Sequence, residues 1–306
     1  MSLMRIWACH TKTMPFFIEV LVGGLLAGVM YSMVAMGFVL IYKASGVFNF
    51  AQGAQVLFAA LTFVSLVERG LGFWPSMGLT LLAMVVLALL IERVVLRPLV
   101  NRPPITLFMA TLGLSFMIEG LAQTLWGSQV HGLDLGIADT PFEVHGVMIS
   151  QFDLFAAGTA GTLVLVLGLV FNRTRLGLSL RAVADDTLAA QSIGIDLRRV
   201  WGVVWSVAGL VALVAGLLWG ARVGVQFSLS LIVLKALPVL IVGGFSSIAG
   251  TIVGGLLIGA SEKLAEVYIG PVVGGGIENW FPYVLALLFL LARPTGLFGE
   301  PSVERV

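Results

Sequence analysis

Eight stretches of this chain are apolar for long enough to cross, or at least enter, a lipid bilayer. That limits the fold before anything else is read. A helix needs about 20 mainly apolar residues to span hydrocarbon. The stretches are residues 16–42, 51–67, 73–96, 105–126, 152–171, 200–220, 223–260 and 280–292. The seventh is too long for one crossing, and it contains Lys235, Pro238 and the pairs Gly243–Gly244 and Gly254–Gly255. It reads as two short or broken helices around "GGFSSIAG", so the total is eight or nine crossings. Only 11% of the residues are charged and 59% are hydrophobic, against about 25% charged in soluble domains. The class is therefore an all-α polytopic membrane protein, one transmembrane domain over 1–306. A transmembrane barrel would show short alternating segments instead.

Charge in the short loops sets the orientation, because Lys and Arg gather on the cytoplasmic side. "ERVVLRPLVNRPP" carries Arg93, Arg97 and Arg102, and five arginines fall between Arg173 and Arg199. The loop between them, "GSQVHGLDLGIADTPFEVHG", carries Asp134, Asp139 and Glu143 and neither Lys nor Arg. The basic loops are expected inside and the acidic one outside. Counting backwards puts Lys43 inside and the N-terminus outside, although Arg5 and Lys12 pull the other way. The opening residues lack the pattern of a cleaved secretory signal, so the first span is expected to be retained.

No G-x-x-x-x-G-K-[ST] loop, H-E-x-x-H, G-x-S-x-G or acidic metal cluster occurs. The three histidines are scattered and Cys9 is the only cysteine, which leaves no disulfide and no cysteine-based metal site. A net charge of +1 gives no sign of nucleic acid as a partner. The chain is read as a non-enzyme that binds no metal.

Three polar features interrupt the oil. In "IYKASGVFNFAQGAQVLFAALTF", Asn49, Gln52 and Gln55 fall broadly on one side of a helix, with Gly53 among them. Unpaired amides are costly in hydrocarbon, so this side faces protein or a watery path. It either glues helices together or marks a discontinuous helix along a substrate path. Shifted by 197 residues, "GVFNFAQGAQV" overlays "GGFSSIAGTIV", matching Gly46, Phe48, Gly53 and Val56 to Gly243, Phe245, Gly250 and Val253. Ser246 falls opposite Asn49, with Ser247 beside it. The second feature is Glu119, an acid inside a span, which is either a pathway residue or a group satisfied at a helix interface. Lys235 has a stem long enough to reach an interface and is given no role.

The third is the loop 172–199, charged and helix-patterned. Ser179 is a plausible N-cap and Gly194 a C′ residue, bracketing one helix. Leu180, Val183, Ala184, Leu188 and Gln191 share a face, and Arg181 stands one turn before Asp185. An exposed pair of that kind contributes only a few tenths of a kcal/mol, so its stability alone does not explain the segment. The segment reads either as a solvated loop or as a docking surface.

These stretches resemble the LivH-type permease subunits of branched-chain amino acid ABC importers. "GVMYSMVAMGFVLIYKASGVFNFAQG" is similar to the family's first span and its "INFAHG" element. "RAVADDTLAAQSIGID" is similar to its cytoplasmic coupling loop, and "VGGFSSIAGTIVGGLLIG" and "RPTGLFG" to its last two motifs. The order holds from about Gly23 to Gly299. The resemblance implies a multi-pass subunit of a bacterial cytoplasmic (inner) membrane, in contact with lipid. It would work beside a LivM-like second permease, two LivG/LivF-like ATPases that hold ATP and Mg, and a periplasmic or extracytoplasmic binding protein. It further implies coupling through Arg181, Asp185, Asp186 and Gly194. Gln52 replaces the family's usual His, and relatives also carry urea, short amides and aromatic acids, which leaves the substrate open. An ion-coupled secondary transporter is the alternative, with Glu119 as the one acid on offer.

Overall fold

The computed structural model describes residues 3–299 apart from 47, 100, 101, 139 and 145. Asp139 of the acidic loop thus lies outside the described residues. The chain is helical: α1 (Leu3–Ser45), α2 (Gln52–Glu68), α3 (Phe73–Leu90), α4 (Pro104–Trp126), α5 (Gln151–Arg173), α6 (Arg175–Asp185), α7 (Thr187–Ser192), α8 (Leu197–Val223), α9 (Ile232–Gly243), α10 (Ile248–Tyr268), α11 (Gly270–Val273) and α12 (Phe281–Ala292). Among the described residues six helices are long and apolar enough to cross a membrane, and three shorter apolar ones lie at 52–68, 227–243 and 281–292. α3 continues through a π turn at Ile91–Leu96, which buries Glu92, into a 3-10 turn at Arg97–Leu99. A small antiparallel hairpin, β1 (Pro141–Val144) with β2 (Val147–Ser150), belongs to the acidic loop.

α1 and α8 form the centre. Their inner residues, from Met30 to Ile41 and from Val204 to Leu218, supply much of the core. α10 packs along α1 with almost no side-chain spacer. Gly24 and Gly28 on α1 face Gly259 and Gly255 on α10, and a Cβ at any of the four would strike backbone or the first atoms of a side chain. Without a hydrophobic force between helices in lipid, such small-residue seams let backbones close up and gain dispersion contacts. α3, α4 and α5 stand outside, with Leu82, Phe116 and Leu165 among their exposed faces, as surfaces for lipid or a partner helix require.

The two ends of the bundle match the charge pattern. Glu19 accepts from the Met148 backbone N–H (3.3 Å), so the start of the α1 span lies with the acidic loop. α5 leads from that loop to the basic segment at the other end.

Two expectations change. The stretch 223–260 does hold two helices joined around "GGFSSIAG", but only α9 is short: α10 is 21 residues long and runs on to Tyr268. The single helix expected over Ser179–Gly194 is two. Thr174, not Ser179, caps α6 by accepting from the Gly177 N–H, and the Ser179 hydroxyl turns back to the Arg175 carbonyl (3.1 Å). At Asp186 the backbone becomes extended (φ −155, ψ 107). The Asp186 carboxylate then accepts from Ala189 N–H (2.9 Å) and starts α7. Gly194 closes the segment at φ +89, as a C′ glycine does.

Candidate translocation site

The internal echo proves to be a shared geometry. Each copy ends one helix, turns through a left-handed glycine (Gly46, φ +68; Gly244, φ +99) and starts another. α8 measures the depth of the first break. The Trp201 indole N–H donates to the Ala44 carbonyl (3.0 Å), and the Gln52 amide donates to the Ala208 carbonyl (3.3 Å). At 1.5 Å per residue, Trp201 is about 6 Å and Ala208 about 16 Å into a helix about 40 Å long. The chain thus reaches the basic end, turns, and climbs back to mid-depth before α2 begins. α9 also begins at mid-depth, since the Ser230 carbonyl and Val233 lie directly against Gly53 of α2. Its 12 residues cover about 18 Å, little more than half the hydrocarbon thickness.

At the first break the polar side chains point inward. Asn49, Gln52 and Gln55 are all buried. The Asn49 amide donates to Gln52 (3.3 Å) and its oxygen accepts from the Ala51 N–H (3.1 Å). Gly37 on α1 leaves the room the Gln52 amide occupies. Thr111 of α4 donates to the Phe48 carbonyl (3.2 Å). Gln55 keeps a buried Oε1 with no hydrogen-bond partner among the described residues.

The second break lies beside the first. Lys43 donates to the Ser246 carbonyl (3.4 Å), tying the two together. Ser247 caps α10 by accepting from Gly250 N–H (3.0 Å). Outside the amides, both breaks present rings. Tyr42, Phe48, Phe50 and Phe245 join Phe108 of α4 and Leu237 of α9 around an open cavity of about 340 Å³. Its ring centroids lie 4.6 Å apart for Phe48–Phe50 and 4.8 Å for Phe50–Phe108. Tyr42 and Phe48 approach Phe245 at 5.7 and 6.4 Å.

Glu119 is not part of this arrangement. It is half-buried on α4, eleven residues past Phe108 and so about 16 Å further along the helix. The acid that matters most to the packing was missed in the sequence. Glu262 of α10 is 2% exposed; it receives the Tyr31 hydroxyl (3.1 Å) and the Lys235 ammonium (2.9 Å). Lys235 also donates to the Glu278 carbonyl (2.5 Å), and the Tyr283 hydroxyl to the Leu234 carbonyl (2.8 Å). Four helices (α1, α9, α10 and α12) and the 277–279 turn are joined by this cluster inside the bundle. The available signal was the second intramembrane charge, Lys235. A lysine there calls for a carboxylate, and Glu262 looks like a helix-end residue only because Ser261 and Lys263 flank it.

At the basic end Arg181 does not pair with Asp185. It donates to the Phe171 carbonyl (3.0 Å) and so closes the end of α5. Gly177 packs on the same Phe171 backbone with no space for a Cβ. Leu180 and Val183 are buried, whereas Ala184, Asp185, Asp186 and Gln191 are exposed, with Ile193 76% exposed at the tip. The face expected at Leu180, Val183, Ala184, Leu188 and Gln191 is therefore narrower: Ala184 and Gln191 lie outside it, and the side chain of Leu188 lies outside the described residues.

The chain is 28% identical to the high-affinity branched-chain amino acid transport system permease protein BraD of Pseudomonas aeruginosa, over 95% of this chain and 98% of that protein. It is 26% identical to the corresponding LivH of Escherichia coli over the same shares. Similarity extends to a probable LivH of Methanocaldococcus jannaschii, 28% identical over 92% of each. The family model described as branched-chain amino acid transport system / permease component matches residues 20–293, and this chain belongs to that family.

Proposed function

We propose that this multi-pass membrane protein is the permease subunit of an ATP-driven importer in a bacterial cytoplasmic membrane. It would move branched-chain or related amino acids inward beside a LivM-like second permease. ATP and Mg would be held by two LivG/LivF-like ATPases, and an extracytoplasmic protein would deliver the substrate. Such a subunit needs no catalytic site of its own, only a path and a mechanical link.

The observation that carries this reading is the build of α6 and α7. A guanidinium, a glycine and a threonine cap lock α6 to the end of α5, and Leu180 and Val183 anchor it in the core. An acidic rim at Asp185 and Asp186 stays exposed, with Leu178 and Ile193 as exposed apolar side chains of the same segment. A push on that rim reaches α5 with little slack, because the corner is held at backbone level. The relatives' names supply the substrate class.

The test is reconstitution of the whole complex in liposomes with Asp185→Lys, and separately Asp186→Asn, which keeps the α7 cap. ATP hydrolysis stimulated by loaded binding protein should fall to its basal level in Asp185→Lys, while insertion and assembly persist. Full stimulation in that variant would refute coupling through this rim.

A further inference from the structure

The first break turns its amides into the protein and its rings outward, the reverse of a path lined by Asn49 and Gln52. Irregular backbone at membrane depth is tolerated only where protein covers it or where it lines a watery cavity. Both breaks open toward one face, and that face is concave. The cavity there, about 340 Å³, is at the lower end of the range for small-molecule sites, about 300–1,000 Å³. Five of its six lining side chains are rings and the sixth is Leu237. Apart from the Tyr42 hydroxyl the lining side chains offer no hydrogen-bonding group. A polar solute the size of urea would gain nothing here, whereas an aliphatic or aromatic side chain would exchange water for ring faces. The walls come from both breaks, from α4 and from α9, so a relative movement of these elements changes the cavity's size.

We propose that this aromatic cavity is a specificity-determining subsite that receives the apolar side chain of the amino acid in transit. Side-chain size is then tested within the membrane, in addition to whatever selection the binding protein makes. Phe245 lines it from the second break, Phe108 from α4, and Phe48 and Phe50 from the first break. This rests on the importer reading above.

The experiment uses the complete complex in liposomes, with saturating binding protein loaded with either leucine or alanine. Turnover for the two is compared on one preparation, so that losses from folding cancel in the ratio. Phe245 is 37% exposed, so it can be changed without emptying the core. Phe245→Trp narrows the cavity and should lower the leucine-to-alanine ratio on the order of tenfold, the discrimination that about one methylene gives in an apolar pocket. Phe245→Ala and Phe108→Leu widen it and should raise uptake of phenylalanine relative to leucine. Ratios unchanged in all three variants, with transport intact, overturn the subsite and leave the importer reading standing. A wild-type complex that moves neither leucine nor alanine overturns the importer reading, and the subsite with it.

Discussion

The two helix breaks share a sequence pattern and a shape, yet they satisfy their backbones by opposite means. At the first, side chains do it. Trp201 bonds the Ala44 carbonyl, Thr111 the Phe48 carbonyl, and Asn49 the Ala51 N–H. At the second, apart from Lys43, Thr251 and the Ser247 cap, backbone does it. The C-terminal "RPTGLFG" segment returns under α9, where Leu297 and Phe298 N–H groups bond the Val242 and Gly243 carbonyls (2.8 and 3.2 Å). α9 and α10 meet through Gly243 and Gly250, each too close to the other's carbonyl to carry a Cβ. The difference teaches where each break is vulnerable. Both are sensitive to the volume of a single methyl group, at Gly53 against the Ser230 carbonyl and at Gly250 against the Gly243 carbonyl, but the first is sensitive in addition to the chemistry of its amides.

The strongest test of that contrast is Gly250→Ala. The added Cβ would overlap the Gly243 carbonyl, and an obstacle made of backbone cannot rotate aside. Overpacking of this kind costs about 3 kcal/mol, outweighing the roughly 1 kcal/mol that alanine gains over glycine in a helix. We expect early loss of the complex when it is heated in detergent and followed by size exclusion. Gly113→Ala on α4, where a Cβ meets nothing within 4 Å, is the matched control and should be neutral or better. Equal behaviour of the two would remove the volume argument.

A smaller effect is expected at the first break. Gln52→Leu strips the Asn49 amide of its acceptor and the Ala208 carbonyl of a donor. Leaving a buried polar group unmatched costs about 2 kcal/mol. Adding Asn49→Leu should then cost less than Asn49→Leu does alone, because the orphaned partner goes with it. A double-mutant cycle on thermal stability reads this coupling. Strict additivity would mean that the two amides do not act as a pair, and the contrast with the second break would fail.

How much of this was legible follows from the same contrast. A break solved by side chains leaves polar letters in an oily run, so Asn49, Gln52 and Gln55 stood out, and so did the echo at Gly243–Val253. Their direction did not, because which side of an irregular segment faces inward depends on α8 and Gly37, far away in the chain. A break solved by backbone leaves only glycines, which say that something comes close but not what. The tail's return under α9 was therefore invisible, though its motif was noticed. The apolar runs gave the polytopic helical class because hydrocarbon thickness is a length the sequence must meet. Against the eight or nine crossings expected, the described residues hold six helices long and apolar enough to cross and three shorter apolar ones. Capping at the basic end was misread for a local reason. Ser179 and Thr174 both suit an N-cap, and the choice fell to Thr174 because Gly177 has to sit against Phe171.

The smallest effect is expected at Ser247, whose hydroxyl accepts from Gly250 N–H at the start of α10. Together with Lys43 and Thr251, which donate to the Ser246 and Ser247 carbonyls, it is what side chains add to a break held mostly by backbone. Ser247→Ala should cost about 1 kcal/mol, and Ser247→Gly only a few tenths, as at other helix N-caps. Neither should approach the loss from Gly250→Ala, because the glycine seam and the returning tail hold this break whether or not the cap is present. Thermal stability of the purified complex ranks the three variants. If Ser247→Ala proved as damaging as Gly250→Ala, the second break would depend on a side chain just as the first does.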